Sequence, residues 1–440
     1  MRIWGNAKDL AAKTPESRNR YVDFLRAASI LVVVIGHWLI ATVYYQDGTL
    51  EPGHLLEITT DLHWMTWAFQ VMPIFFIVGG FSNSITLQSA EKKGQPYATW
   101  LAARLNRLVA PLLFLLIGWG AIALGQYLLG VSAEVIQYTS RASLIPTWFL
   151  AIYIMVVVLA PVTFSLWRKF GFASFWGFVA LAAITDWLFF AGFEWVGWSN
   201  YFWVWLGVHQ LGYAWREGRL GGPVMLLGYA FVAFIALYLL INFGPYPMAM
   251  VGSPGEDVSN SLPPKITLLV LGVVQLGLLL SLEGPMRRAL DGLRLWTATV
   301  LINSMIMTLY LWHITLMIAV TSALFYAGGF FLGIDPGSAE WWWSRIPWVV
   351  GLLVLLMPGA FLLAAFERRP FDPNASMPHA ARQIVGAVMI SLGIAIVAMY
   401  GFAGTPIKGM DIAAFAFVIV GAAISGLLFQ RKAVAIEEAA

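Results

Sequence analysis

The stretch that decides the fold is Arg20-Tyr-Val-Asp-Phe-Leu-Arg26-Ala-Ala-Ser-Ile-Leu-Val-Val-Val-Ile-Gly36-His37-Trp38. It begins with fixed positive charge and continues as an apolar run that predicts the first membrane-spanning helix. Arg26 and His37 are eleven residues apart, so both side chains lie on one helix face, roughly 16 Å apart along the axis. One end of that face can bind an anion. The other end carries an imidazole that can move protons inside a bilayer.

The composition indicates an all-α, polytopic integral membrane protein. The chain of 440 residues is 60% hydrophobic and 11% charged, whereas soluble domains carry about 25% charged residues. It contains no cysteine, which excludes disulfides and thiolate chemistry. The net charge of +3 does not indicate a nucleic-acid partner, because the cations lie at predicted span ends rather than in one patch. Membrane lipids are the expected surroundings.

Apolar runs of about 20 residues predict the membrane spans. Twelve helices are predicted, near residues 24–44, 65–87, 108–130, 144–164, 172–192, 197–214, 223–242, 264–282, 297–326, 346–366, 384–403 and 412–430. The predicted outer loops are 45–64, 131–143, 243–263 and 327–345. The segment 367–383 is interpreted as a cytoplasmic linker before the final helix pair.

The distribution of Lys and Arg predicts the orientation. With the N-terminus in the cytoplasm, 22 of the 26 basic residues fall on the cytoplasmic side. The four on the outer side are Arg141, Lys265, Arg345 and Lys408. This bias follows the positive-inside rule. We therefore expect both termini to be cytoplasmic, with the protein in the inner (plasma) membrane of the cell.

Ionisable side chains inside a span are costly, so each is a functional candidate. His37 is the first of these, and His313, in Leu309-Tyr-Leu-Trp-His313, is predicted at a similar depth. Two such histidines can share a polar cavity in which either is the base. The alternative for His37 is a packed histidine bonded to a carbonyl. Asn303 and Tyr310 lie near the same helix face as His313 and line that cavity, or else form interhelical hydrogen bonds.

Three arginines are predicted at the cytoplasmic mouth of the protein. Arg104 and Arg107 are one turn apart before the third span and, with Arg26, suit a polyphosphorylated donor such as coenzyme A. Anchoring to lipid phosphates is the alternative for the pair. Asp186, toward the outer end of the fifth span, can orient a histidine or bind sugar hydroxyls, or it is a wetted helix-end carboxylate.

The other histidines receive no catalytic role from the sequence. His209 is expected near the cytoplasmic interface, and the loop histidines are His54, His63 and His379. No histidine pair has the spacing of a zinc site, so no metal is predicted.

At these positions the sequence resembles the membrane-bound acyltransferase 3 family, bacterial O-acyltransferases of cell-envelope and secondary-metabolite sugars. The matching segments are Arg26 to His37 (arginine, ten residues, histidine), Phe75-Phe76 with Gly79-Gly80-Phe81, Arg104-x-x-Arg107 before Pro111, Trp148-Phe-Leu150, and Leu309-Tyr-Leu-Trp-His313. The likeness covers about residues 1–370. Two positions depart from the family pattern: Gly79 replaces the usual serine, and Thr315 stands where a proline often follows the late histidine.

The resemblance implies an O-acyltransferase. An acyl group, acetyl or another short acyl, would pass from cytoplasmic acyl-CoA to a hydroxyl of an extracytoplasmic glycan or glycolipid. His37 would be the base, and the arginines would serve the donor. We take His313 as the second catalytic residue, and the cavity residues as Trp148, Asp186, Asn303 and Tyr310. Acyl-CoA is then a substrate, and no tightly bound cofactor is expected. Residues 1–370 would form a ten-helix core, with residues 371–440 as linker and extra helix pair.

A proton-coupled secondary transporter that uses His37, Asp186 and His313 is the alternative function. Transporters commonly contain internal repeats, and none is visible in this sequence. The sequence leaves open the acceptor, the acyl chain length, the oligomeric state, and whether transfer is direct or proceeds through an acyl-enzyme.

Overall fold

The computed structural model describes residues 2–15, 18–46, 48–367, 371–372, 377–403 and 409–428, and the protein is 78% helical. The helices are α1 (Arg2–Ala12), α2 (Arg20–Ile40), α3 (Leu55–Ile58), α4 (Thr66–Phe69), α5 (Met72–Lys92), α6 (Tyr97–Leu128), α7 (Ala133–Leu144), α8 (Thr147–Phe170), α9 (Phe172–Phe190), α10 (Asn200–Arg216), α11 (Pro223–Phe243), α12 (Ile266–Ser281), α13 (Glu283–Leu290), α14 (Leu293–Ser304), α15 (Ile306–Tyr326), α16 (Ala339–Glu367), α17 (Ala380–Tyr400) and α18 (Met410–Ile424). Short 3-10 helices cover Thr60–Met65 and Glu194–Ser199. Strands β1 (Ala41–Gln46) and β2 (Thr49–His54) form an antiparallel hairpin.

The predicted fold class, an all-α polytopic membrane protein, is confirmed. Among the described residues, nine helices are long and apolar enough to cross a membrane. The number rises to ten if α12 and α13, which meet at a bend of 54°, count as one span. Each of the twelve predicted spans has a helical counterpart, but α10, α12 and α18, with 17, 16 and 15 residues, are shorter than the roughly 20 residues that a span needs.

The first span lies four residues earlier than predicted. Asn19 caps α2, because its side-chain oxygen accepts hydrogen bonds from the backbone N–H groups of Tyr21 and Val22. The helix therefore begins at Arg20 and ends at Ile40. The next residues, Ala41-Thr-Val-Tyr-Tyr, are rich in β-branched and aromatic side chains, which favour a strand, and they form β1 instead of the last turn of the predicted helix.

The predicted helix over 297–326 is wrong, because the chain breaks at Met305. The backbone there has φ −127° and ψ 20°, which ends α14, and α15 begins at the next residue. Helical periodicity is not continuous across such a break. The expectation that Asn303 shares a helix face with Tyr310 and His313 therefore fails.

Two predicted outer loops contain helix. Residues 131–143 were expected to be a loop, but Ser132 accepts a hydrogen bond from Val135 N–H and caps α7. The last predicted outer loop, 327–345, ends inside α16, which begins at Ala339. Some of the basic residues that were counted for the orientation lie outside the described residues: Arg368, Arg369, Lys408, Arg431 and Lys432. Residues 429–430 of the last predicted span also lie outside them.

The chain divides into two compact units. Unit 1 contains Met1–Ile85, Val162–Ile306 and Ala319–Leu355, and unit 2 contains Thr86–Pro161, Met307–Ile318 and Leu356–Ala440. The predicted division near residue 370 stays a prediction.

Glycine sets the closest helix contact in unit 1, between α5 and α10. A Cβ on Gly80 would lie 1.9 Å from the carbonyl oxygen of His209, and one on Gly212 would lie 2.1 Å from that of Ile77. No other residue fits such a backbone approach, which is how small residues bring membrane helices together.

The C-terminal helix pair of unit 2 packs in the same way. Cβ atoms added at Gly386 and Gly393 of α17 would lie 2.4 and 2.5 Å from backbone oxygens of α18. Gln383, at the start of α17, is fully buried and donates to the Ala98 carbonyl of α6. The final two helices are thus packed onto unit 2 rather than appended to it.

Candidate functional site

Arg26 and His37 lie on one uninterrupted helix, α2. Their spacing puts the guanidinium near one end of the helix and the imidazole near the other, about 16 Å apart along the axis. Both side chains are half-buried. The carbonyl of His37 accepts the hydrogen bond from Ala41 N–H that closes the helix. The arrangement predicted from the sequence, a cation and a titratable ring on one rigid element, is present.

An acidic neighbour holds Arg26 in place. Its Nη1 lies 3.2 Å from Asp23 Oδ1, one turn earlier on α2, and its Nη2 donates to Ser82 Oγ on α5 at 3.0 Å. The second oxygen of Asp23 pairs with Arg18 Nε at 2.6 Å. Asp23 is 6% exposed, so its carboxylate is shielded from solvent, whereas the Arg18 side chain is 54% exposed. A phosphate that approaches Arg26 meets a guanidinium whose direction is fixed and whose charge is partly neutralised.

Asn303 anchors α14 to the start of α2. Its Nδ2 donates to the backbone carbonyl of Asp23 at 2.8 Å and to that of Thr299 at 2.9 Å. Its Oδ1 is buried and has no hydrogen-bond partner. A buried acceptor without a donor is costly, and this oxygen is therefore the part of Asn303 with bonding capacity left for a ligand.

The hairpin after α2 carries histidines that the sequence left without a role. Ala41 pairs with His54 across β1 and β2, so His54 lies beside the end of the helix that contains His37. His63 follows in the 3-10 helix and is 7% exposed. The sequence predicted a loop over residues 45–64, with no strand register that would place His54 beside the end of α2.

His209 is buried in unit 1 and not interfacial as expected. It is fully buried, and Asn83 Nδ2 donates to its Nε2 at 3.1 Å. Its Nδ1 is buried without a hydrogen-bond partner. The tight α5–α10 contact at Gly80 brings the two polar side chains together.

Asp186 is the centre of a buried polar cluster that holds the loop between α11 and α12. It is 1% exposed. Its oxygens accept hydrogen bonds from Asn200 Nδ2 at 2.7 Å, Tyr246 OH at 3.1 Å and Ile266 N–H at 2.8 Å. These are donors from α10, the loop and α12. Its role as a cavity residue stays a prediction, but the wetted helix-end carboxylate considered from the sequence does not fit this burial.

Lys265 completes that cluster. The side chain is fully buried, its Nζ donates to the Pro263 carbonyl at 3.1 Å, and it lies 3.7 Å from the centre of the Phe189 ring. Burial lowers the pKa of Lys265 to about 8, although the charge of Asp186 offsets part of the effect. The sequence-based interpretation of this lysine as an outer-loop cation did not anticipate its burial.

In unit 2, His313 is fully buried on α15. Its Nδ1 lies 2.7 Å from the carbonyl oxygen of Tyr310. A carbonyl only accepts hydrogen bonds, so Nδ1 carries the proton and Nε2 is the basic nitrogen of the neutral ring. The Tyr310 hydroxyl donates to the Pro146 carbonyl, two residues before Trp148. Unit 2 therefore brings His313, Tyr310 and the Trp148 segment together, and their roles in catalysis and in the substrate cavity stay predictions.

Arg104 and Arg107 lie one turn apart on α6. The Arg104 guanidinium stands 5.7 Å from the centre of the Trp100 ring, and Arg107 is exposed. Helix α6 begins at Tyr97, eleven residues before the predicted span, so both arginines are helical. Their membership of unit 2, with Arg26 in unit 1, leaves the predicted common arginine mouth a prediction. The cavity predicted to join His37 and His313 also stays a prediction.

Glu367 is a buried carboxylate that the sequence interpretation missed. It is 4% exposed at the end of α16 and accepts hydrogen bonds from Thr308 Oγ1 at 2.5 Å and Trp312 Nε1 at 2.8 Å. The predicted cytoplasmic linker, residues 367–383, begins at Glu367, but in the structure this residue is the buried last residue of α16. It fixes the helix turn immediately before His313.

No group of three or more His, Asp or Glu side chains that could hold a metal occurs among the described residues.

Comparison with known proteins adds one finding. The family profile described as "Acyltransferase domain" of the acyltransferase 3 family matches residues 19–365. No curated protein and no solved structure matches the chain significantly. Because the match covers most of the sequence, the chain belongs to the acyltransferase 3 family, and it is a multi-pass membrane protein.

Proposed function

We propose that this member of the acyltransferase 3 family moves a short acyl group, such as acetyl, from cytoplasmic acyl-CoA to a hydroxyl of an extracytoplasmic glycan or glycolipid. The observation that carries the proposal is the single helix α2, which is continuous from Arg20 to Ile40 and holds Arg26 and His37 about three turns apart. The family supports membrane acyltransferase activity. The Lys and Arg distribution supports cytoplasmic termini in the plasma membrane.

At the donor end, Arg26, Arg104 and Arg107 bind the phosphates of acyl-CoA. Arginine suits this role because its planar fork forms bidentate hydrogen bonds to phosphate. Arg26 is held by Asp23 and Ser82, so it acts as a fixed donor that needs little ordering on binding. Arg107 is exposed in the first part of α6, one turn after Arg104, and can reach a soluble nucleotide moiety.

At the reaction end, His37 acts as the base. A neutral imidazole accepts the proton of the acceptor hydroxyl while its oxygen forms the new ester bond and the thiolate of CoA leaves. In the covalent route, His37 first takes the acyl group itself. His313 is the second catalytic residue. Its Nδ1 proton is directed to the Tyr310 carbonyl, so its Nε2 is the nitrogen that accepts a proton or a substrate hydrogen bond. Trp148, Asp186 and Asn303 complete the substrate cavity.

Substitution of His37 tests the mechanism. His37→Ala should abolish acetyl transfer from acetyl-CoA in purified, folded protein, because α2 has no other titratable side chain beyond Arg26. His379→Gln is the matched control, since this histidine is exposed at the start of α17, and it should keep the wild-type rate. Retained transfer in His37→Ala would remove the residue from the mechanism.

The arginine pair is tested by binding. Arg104→Ala combined with Arg107→Ala should weaken acetyl-CoA binding in detergent with little effect on thermal stability. Unchanged binding would assign the pair to lipid anchoring.

Mass spectrometry of envelope glycans from cells with and without the protein would identify the acceptor. Identical acylation of the glycans in the two cell types would contradict the proposed acceptor class.

A further inference from the structure

Three side chains follow His37 beyond the end of α2, all within unit 1. The hairpin register pairs Ala41 with His54, and Ala41 is bonded to the carbonyl of His37. Paired residues in an antiparallel hairpin are about 4.5–5.5 Å apart at Cα, so His54 lies beside Ala41, the residue one helical turn after His37. His63 is close to the same segment, because its ring lies against the carbonyl group of Leu56, two residues after His54.

His63 has only one ring nitrogen available for proton transfer. Its Nε2 lies 2.7 Å from the carbonyl oxygen of Leu56, so Nε2 carries a proton. Its Nδ1 lies 3.4 Å from Glu256 Oε1. At that distance a proton on either group joins the two, so the His63–Glu256 pair can take up one proton, on the imidazole or on the carboxyl group.

The loop that carries Glu256 is fixed next to His63. Thr66 Oγ1 donates to the His63 carbonyl at 2.5 Å, and the same hydroxyl accepts from Met250 N–H at 2.8 Å. Gln70 Nε2 donates to the Met250 carbonyl at 2.8 Å. These bonds anchor Met250, six residues before Glu256, to the segment that contains His63.

Two atoms of the series have no hydrogen-bond partner. His54 Nδ1 and Glu256 Oε2 are both buried without one. Buried polar atoms are satisfied in the great majority of cases, and orphaned atoms on titratable groups at a candidate reaction centre point to a function. A ring nitrogen and a carboxylate oxygen with free capacity are the groups that a transferred proton needs.

We propose that His54, His63 and Glu256 form a proton relay that carries the proton taken up by His37 to solvent at the C-terminal end of α2. The proposal rests on the proposed role of His37 as base. The O–H bond of the acceptor breaks and the proton binds His37. It then passes through His54 to the His63–Glu256 pair, which releases one proton to water, and the thiolate of CoA takes a proton from solvent on the donor side. One proton leaves the acceptor and one enters solvent, so His37 returns to its neutral form.

The titration properties agree with this order. Burial, with repulsion from His63 as the smaller cause, lowers the pKa of His54 to about 4. His54 therefore receives a proton only briefly and passes it on. Burial raises the pKa of Glu256, although His63 offsets part of the increase, so this carboxylate can accept a proton more readily than an exposed one.

Chemical rescue distinguishes a relay from a structural role. CoA release from acetyl-CoA, with water as acceptor, is measured for the purified full chain in detergent. His54→Ala should lower kcat about tenfold or more with KM for acetyl-CoA unchanged, and added imidazole should restore kcat by carrying the proton through solvent. His379→Gln should match the wild type with and without imidazole.

Ring titrations provide a readout that does not require activity. The six histidines can be labelled and their NMR signals assigned by single substitutions. His63→Gln should raise the midpoint of His54 toward its ordinary value, because the repulsion is removed. Glu256→Gln should change the ring signals of His63, and Asp257→Asn, an exposed neighbour, should not.

The outcomes separate this proposal from the proposed function. If the wild type releases no CoA, the proposed function fails, and the relay is then decided by the ring titrations alone. Normal CoA release with a wild-type kcat in His54→Ala overturns the relay. So does a loss of kcat that imidazole cannot restore, or a His63 ring that does not respond to Glu256→Gln.

Discussion

Replacing Asp186 by alanine removes the acceptor at the centre of the polar cluster. Three donors lose their partner: the Asn200 amide, the Tyr246 hydroxyl and the backbone N–H of Ile266. The buried Lys265 ammonium also loses its nearest compensating charge. Removing one partner from a buried charged cluster costs about 3–5 kcal/mol. With about 2.1 cal/mol/K of unfolding entropy per residue, this cost corresponds to a fall in Tm of about 3–5 °C.

Thermal unfolding of the purified protein in detergent, followed by tryptophan fluorescence, measures the effect. Asp186→Asn retains one acceptor oxygen and the side-chain volume, and should lose about half as much stability or less. Asp257→Ala changes an exposed carboxylate on the same loop and should leave Tm unchanged. If Asp186→Ala melts within one degree of the wild type while acyl transfer is lost, then the carboxylate serves the substrate and the loop-anchor reasoning is refuted.

Three further predictions concern buried groups. The pKa of Lys265 is about 8 in the folded protein and 10.5 in the unfolded chain. Between these pH values the unfolded state binds the extra proton, so the free energy of unfolding should rise with pH across that window. Lys265→Met should flatten the corresponding rise in Tm. Glu367→Ala leaves the Thr308 hydroxyl and the Trp312 N–H unsatisfied and should lower Tm by about 2–4 °C. Glu340 is exposed in the first turn of the same helix, so Glu340→Ala should leave Tm unchanged. Equal Tm values for the two variants would contradict a stabilising role for Glu367. Gly80→Ala forces α5 away from α10 and should reduce both Tm and folded yield in detergent, whereas Gly228→Ala, where an added Cβ meets nothing within 4 Å, should be neutral.

The candidate site could be predicted only as far as single helices carry it. The eleven-residue spacing of Arg26 and His37 is a property of one helix, and the structure keeps it. The expected alignment of Asn303 with His313 failed, because one non-helical residue, Met305, separates their helices. Glu367 was assigned to a linker, since the two arginines after it dominate the local pattern, and its burial depends on donors about 55 to 59 residues away.

The fold class, the approximate place of most helices and the order of charge along α2 follow from the amino-acid sequence alone, because burial in lipid requires apolar runs and satisfied backbone groups whatever the neighbours are. Tertiary structure alone decided which polar groups meet. Glu256 contacts His63, which lies on a distant segment of the chain, and Asp186 accepts hydrogen bonds from two helices and a loop. These contacts join residues far apart in the chain, and no local propensity or periodicity encodes them.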